Sequence, residues 1–280
     1  MAGEKIVCEW PTASLDSGAC AVIPAAHHRV HQLTHSLRKF MTLNLLHIDA
    51  SARPGRSDTH LHGSHTRRLS ARFVERWRKA RPNDRVDHLD VGQQPPAHVS
   101  GRWIHAAFTA PAEREPWMAD VLAESDRLVD QLIAADVIVV GLPMYNFSVP
   151  AQFKAYIDNV VRVGRTFGFD RARGAVPYWP MLADAGTRMV LLGARGDHGY
   201  EPGGRIAHLN HTENSVRSVF GYIGITDVFE AAVECDEFGG EQLAQSMRLA
   251  EQRVDRLVDT LLAPLADKAP ADTTLSGAPA

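Results

Sequence analysis

From about residue 41 onward, short apolar runs alternate with longer segments of helical spacing. Leu43 to Ile48 is short and mostly apolar, as a buried strand would be. Leu69, Phe73, Val74 and Trp77 then recur at three- and four-residue spacing, which predicts a helix. Val86, Leu89 and Val91 mark a second strand over 85–91. Residues 117–134 carry Val121, Leu122, Leu128, Val129, Leu132 and Ile133 on one helical face and lead into a third strand, Val137-Ile138-Val139-Val140. Phe153, Tyr156, Ile157, Val160 and Val161 predict a helix over 150–163, Met189 to Leu192 a fourth strand, and residues 206–221 another helix. Thr226 to Val233 reads as a fifth strand and Glu241 to Leu262 as a closing helix. Residues 92–116 read as irregular, and the 166–180 loop, with Phe167, Phe169, Tyr178 and Trp179, is aromatic enough to line a pocket.

Strand and helix thus alternate five times, which predicts an α/β fold of three layers, a five-stranded parallel sheet with helices on both faces. Right-handed crossovers and a reversal of strand order then place a crevice beside the loops after the first, third and fourth strands. Residues 1–40 mix Pro, Ser, Ala and His without a clean period, so the expectation is a leader that adds nothing to the core, a domain over 41–262 and a disordered tail over 263–280.

Composition narrows the class. Apolar residues are 45% and charged residues 22% of the 280, ordinary for a globular protein. The formal net charge of -3 gives no reason to expect nucleic acid or an anionic membrane as a partner. No apolar run approaches the roughly 20 residues that span a bilayer. Cys8, Cys20 and Cys235 lack metal-ligand spacing, and Ala19 to Ala26, broken by Pro24, is unlike a secretory signal. A reducing, cytoplasmic setting is expected.

The candidate chemistry lies on the three loops. The first offers Ser51 and then Ser64, His65 and Thr66 at the start of a helix, where unpaired N–H groups and the positive dipole end favour an anion. Ser64 or Thr66 can equally serve as a helix cap. The third, Gly141-Leu142-Pro143-Met144-Tyr145-Asn146-Phe147-Ser148-Val149-Pro150, carries planar side chains around Asn146, which suits a flat heteroaromatic ring with polar edges as well as it suits partial core. The fourth, Arg195-Gly196, allows close approach because Gly carries no side chain. No G-x-G-x-x-G or G-x-S-x-G motif is present. His31 and His35 lack the Glu of a zinc-peptidase helix, and His60-x-His62-x-x-His65 lacks a fourth ligand, so no metal is expected.

Pro143-Met144-Tyr145-Asn146-Phe147 followed by Pro150, Gln152, Lys154, Tyr156 and Asp158 resembles the ring loop and following helix of the FMN-dependent NADH azoreductase family, flavodoxin-like quinone reductases. Phe73 to Trp77, Gly164 with Thr166-Phe167, and Gly221-Tyr222-Ile223-Gly224-Ile225-Thr226-Asp227 are similar to that family too, and the resemblance spans 41–262. It implies FMN as cofactor, with Ser51, Ser64, His65 and Thr66 at the phosphate and ribityl chain. It further implies Met144, Tyr145, Asn146 and Phe147 at the isoalloxazine, and Arg195 and Gly196 where the family often has Ser-Arg-Gly-Gly. The implied activity is ping-pong transfer of two electrons from NADH or NADPH to quinones or azo compounds, by a homodimer with flavin sites at the subunit interface. Two features depart from the family pattern: a longer first loop, from Arg53 to Gly63, and Asp197 in place of a Gly. A flavodoxin-like electron carrier and a non-catalytic ligand-binding module are the alternatives; the near-neutral charge speaks against a carrier, which needs a charged docking face.

Overall fold

The computed structural model describes residues 42–266. The expected leader, with Cys8, Cys20, His31 and His35, lies outside the described residues, as does the chain after Ala266. Seven strands are described: β1 (Asn44–Asp49), β2 (Arg85–Asp90), β3 (Val137–Pro143), β4 (Phe167–Phe169), β5 (Tyr178–Pro180), β6 (Arg188–Ala194) and β7 (Asp227–Val233). The helices among the described residues are α1 (His65–Ala80), α2 (Gly101–Phe108), α3 (Pro116–Ala134), α4 (Ala151–Val160), α5 (Thr212–Ile223) and α6 (Gly240–Ala266). The expected five-stranded sheet is present, wholly parallel, in the order β2-β1-β3-β6-β7. The order reverses between β1 and β3, and crossing loops leave an opening there at the carboxyl ends.

Alternation along each strand sorts the core into two layers. Leu46, Ile48, Ile138, Val140, Met189 and Leu191 face α3, α4 and α5, while Leu45, Val137, Val139, Val190 and Leu192 face α1 and α6. Every residue of β3 is buried, which is why its sequence is an unbroken apolar run. Trp77, fully buried on α1, also donates its indole N–H to Asp84 Oδ2 at 3.0 Å.

Four sequence expectations change. The stretch read as irregular holds α2, capped by the Ser100 side chain, which accepts from Trp103 N–H. Its buried residues pack in a small cluster with Met118 and Leu122 of α3, apart from the two core layers on the sheet, so it lacks the long apolar stripe that marks the other helices. The helix expected from 206 begins at Thr212, after a single 3-10 turn at Ala207–Leu209. The closing helix runs past Pro264 to Ala266; so near the end, a proline removes one hydrogen bond of the last turn rather than ending the helix ahead of itself.

The aromatic loop is the fourth. It forms an antiparallel hairpin, β4 with β5, whose Phe167 and Tyr178 rings contact Tyr222 near the end of α5. Leu182 N–H donates to Ile223 C=O, the last residue of α5. Since α4 and α5 run from the carboxyl end of the sheet back to its amino end, the hairpin lies at the end opposite the crevice and does not line it.

Candidate active site

The crevice is a cavity of 240 Å³ lined by Ser51, Arg53, Ser64, His65, Pro143 to Tyr145, Ala194 to Gly196, Asp236 and Glu237. Its floor comes from the carboxyl ends of β1, β3 and β6, whose parallel register sets Pro143 directly beside Ala194. Met144 N–H donates to Ala194 C=O at 2.9 Å and fixes the third loop against the fourth. Tyr145 Oη accepts from Ala52 N–H at 3.1 Å and ties the third loop to the first.

Beyond Arg53, which lines the crevice, the long first loop closes on itself. Arg56 and Ser64 form a β-bridge, Ser57 N–H donates to Ser64 C=O, and Ser64 N–H donates to Gly55 C=O. The Arg56 guanidinium holds the excursion by pairing with Asp58 and with Glu75 of α1. Ser64 caps α1, its hydroxyl accepting from Arg67 N–H at 3.3 Å. Thr66 is fully buried and its hydroxyl lies 2.9 Å from that of Ser64, so it braces the cap from beneath. The first-turn N–H groups have no acceptor inside the helix and carry the positive end of its dipole.

His65 and Arg53 stand at the same helix start. His65 Nε2 is 3.0 Å from Asp236 Oδ1, and Arg53 Nη1 is 3.8 Å from Asp236 Oδ2. The His65 hydrogen bond, with help from Arg53, outweighs burial and holds the Asp236 carboxyl below the usual carboxylate range. Asp236 comes from the loop after β7, which the sequence reading left out of the crevice. That loop runs alongside the fourth: Asp236 N–H donates to Arg195 C=O and Glu237 N–H to Gly196 C=O. The signal available in the sequence was topological, because β7 follows β6 in chain and in sheet and its exit loop has to lie beside Arg195-Gly196.

The third loop turns sharply. Asn146 and Phe147 both have positive φ, 48° and 68°, between reciprocal hydrogen bonds of Tyr145 and Ser148. Two consecutive positive-φ residues make the tight turn that Asn tolerates and an aromatic residue resists, and such strain concentrates at functional sites. Phe147 is half exposed, and its C=O accepts from His211 N–H at the start of α5. Beside the turn opens a second, mainly apolar hollow of 540 Å³ between α4 and α5, lined by Tyr145, Asn146, Val149, Ile157 and Val219 among others.

Arg195 lines the crevice, but its guanidinium is buried and engaged elsewhere, 2.6 Å from Glu213 Oε1 and 2.9 Å from Glu234 Oε1. Burial pulls its pKa down, and the two carboxylates more than restore it. Asp197, the residue standing where a Gly is usual, lies outside the crevice lining: it pairs with Arg205 at 2.8 Å and caps His198 N–H. Ser51, Ser64, His65, Met144, Tyr145, Arg195 and Gly196 are thus brought together, Asn146 lies in the adjoining hollow, Phe147 stands at the turn and Thr66 lies behind the cap.

This arrangement suits a molecule with a phosphate at one end and a flat ring at the other. The Asp236 carboxylate sits between His65 and Arg53 in this cradle.

An FMN-dependent NADH:quinone oxidoreductase 2 from Idiomarina loihiensis is 37% identical over 217 residues, covering 78% of this chain and 90% of its own length. An FMN-dependent NAD(P)H:quinone oxidoreductase 1 from Pseudomonas aeruginosa is 39% identical over 211 residues, covering 75% of this chain and 95% of its own. The crystal structure of an azoreductase from Bacillus anthracis shares the fold, with a TM-score of 0.67 at 24% identity, over 79% of this chain and 100% of that one. Because the family model for the flavodoxin-like fold matches residues 43–258 and these relatives align across nearly their whole lengths, the chain belongs to the flavodoxin-like fold family.

Proposed function

We propose that this chain is an FMN-dependent oxidoreductase that takes two electrons from NADH or NADPH and delivers them to a quinone or an azo compound. The observation that carries the reading is the junction of an anion cradle at the start of α1 with a strained aromatic turn at the end of the neighbouring strand β3, in a chain whose relatives are FMN-dependent quinone reductases. Ser51, Ser64 and His65 would hold the phosphate end, with Thr66 and Arg53 in support. Met144, Tyr145, Asn146 and Phe147 would hold the ring, and the backbone of Arg195 and Gly196 would border its edge. Bound FMN supplies the hydride chemistry, accepting from the nicotinamide and reducing the second substrate. The apolar hollow beside Asn146 suits a planar acceptor, and the expected assembly is a homodimer. No helix among the described residues is long and apolar enough to cross a membrane, and a cytoplasmic setting remains the proposal.

Purified protein supplied with FMN is expected to oxidise NADH or NADPH when a small quinone is added. Flavin binding without turnover would replace the enzyme with an electron carrier, and failure to bind flavin would leave a ligand-binding module. Asn146→Ala and Phe147→Ala are expected to change the flavin spectrum or its reduction rate, whereas His31→Ala leaves both alone. Equal effects at the three positions would refute the ring assignment.

Asp236 makes a further prediction. Its carboxylate competes with a phosphate for His65 and Arg53, so Asp236→Asn is expected to tighten FMN binding by about fivefold, within the range for one surface ion pair. Fluorescence titration of FMN checks it, and weaker binding in the variant would show that Asp236 helps to shape the site instead.

A further inference from the structure

A polar cluster lies one residue short of the crevice floor, on the α1 side of the sheet. We propose that His47, Asp49 and His88 form a binding site for a divalent cation of the zinc class. His47 and Asp49 alternate onto the same face of β1, and the strand register sets His88 of β2 directly opposite His47. His88 Nε2 lies 3.0 Å and His47 Nε2 3.4 Å from Asp49 Oδ2, and all three atoms fall within 4.8 Å of one another. For metal–ligand bonds of about 2.0–2.1 Å, the edge of a coordination tetrahedron is about 3.3 Å, and the two distances to Asp49 Oδ2 are close to that edge. Two imidazoles and one carboxylate are a zinc-type donor set.

A second, independent observation points to a ligand. His47 is 8% exposed, and its buried Nε2 faces this cluster, where its 3.4 Å approach to Asp49 Oδ2 is not a well-aligned hydrogen bond. A buried polar atom left unpaired is uncommon in a folded protein, and coordination would satisfy it. The carboxylate is braced as metal-binding carboxylates are, its other oxygen accepting from the Ser70 hydroxyl at 2.8 Å. Arg67 Nη1 is 3.5 Å from Asp49 Oδ2, yet its charge is taken up by a two-pronged pair with Asp90 at 2.7 Å on each oxygen. One negative charge therefore remains for the ion. His88 is half exposed and leaves a side open to solvent for entry and for a fourth, water ligand. Occupancy would clamp the edge strand β2 to β1 just below Ser51, and it takes no part in electron transfer.

Sequence spacing could not show this site, because His88 lies 39 residues from Asp49 and no short motif joins them. The test uses the full, untagged chain, stripped with chelator and titrated with Zn²⁺ by calorimetry, and separately with Co²⁺ to read its visible d–d bands. Wild type is expected to take up one equivalent that His88→Gln binds about a hundredfold more weakly, with loss of the cobalt bands. His88 is exposed enough that its substitution leaves the fold intact, and Asp49→Asn provides a second variant. Zinc isotherms that are the same in wild type and His88→Gln would overturn the proposal. So would loss of all zinc uptake in a His31→Ala/His35→Ala double variant.

Discussion

Arg195→Met is expected to cost about 3–5 kcal/mol of stability, because it removes the cation from a buried pair and leaves the anions behind. Glu213 is 4% exposed and Glu234 is largely buried, and the Arg195 guanidinium separates them. Glu234 also accepts from Gly199 N–H and Tyr200 N–H, so the loop after β6 hangs on the same network. Against a total stability of about 5–15 kcal/mol, the loss would show as a large fall in the urea midpoint. The triple variant Arg195→Met, Glu213→Leu, Glu234→Leu is expected to recover part of that loss, since apolar side chains of similar volume can replace a buried ion network. A midpoint unmoved by Arg195→Met would mean that the guanidinium is not the partner holding these carboxylates in place.

Gly63→Val is expected to weaken FMN binding by about ten- to a hundredfold while the sheet stays folded, the equivalent of about 1–3 kcal/mol of overpacking. A Cβ at position 63 would sit 2.2 Å from Arg56 O and 2.6 Å from Ser57 N, backbone atoms that cannot rotate away. Those atoms belong to the bridge that returns the long first loop to Ser64. Pushing them apart displaces Ser64 and His65 together and loosens the cap of α1. Gly101→Ala is the control: nothing lies within 4 Å of a Cβ there, and it should leave affinity unchanged. FMN titration of the two variants decides the point. Wild-type affinity in Gly63→Val would show that the loop closure does not position the cradle.

Much of the fold was legible because the central strands are buried on both faces. Val137 to Val140 and Met189 to Leu192 have to be apolar throughout, and the helices that cover them need stripes. The elements that escaped notice bury little against the sheet. α2 contributes Ala106 and Ala107 to a small side cluster, and β4 and β5 are three residues each. The crevice was legible where its residues are consecutive, as in Met144-Tyr145, or sit at a helix start, as Ser64 and His65 do. It was not legible where the relation is long-range. Asp236 meets His65 across 171 residues, and the Glu213 and Glu234 that claim the Arg195 guanidinium lie 18 and 39 residues away. Side-chain direction was equally out of reach: the Arg195 guanidinium turns to Glu213 and Glu234, which the sequence gives no way to place beside it.

The central claim is that FMN in this crevice passes electrons from a nicotinamide to a quinone, and its two halves can be watched separately. FMN-loaded protein mixed with NADH or NADPH under anaerobic conditions is expected to lose the flavin's visible absorption, and addition of an equivalent of small quinone is expected to restore it. Absorption that persists with both nicotinamides, or that is lost and does not return with quinone, would contradict the account.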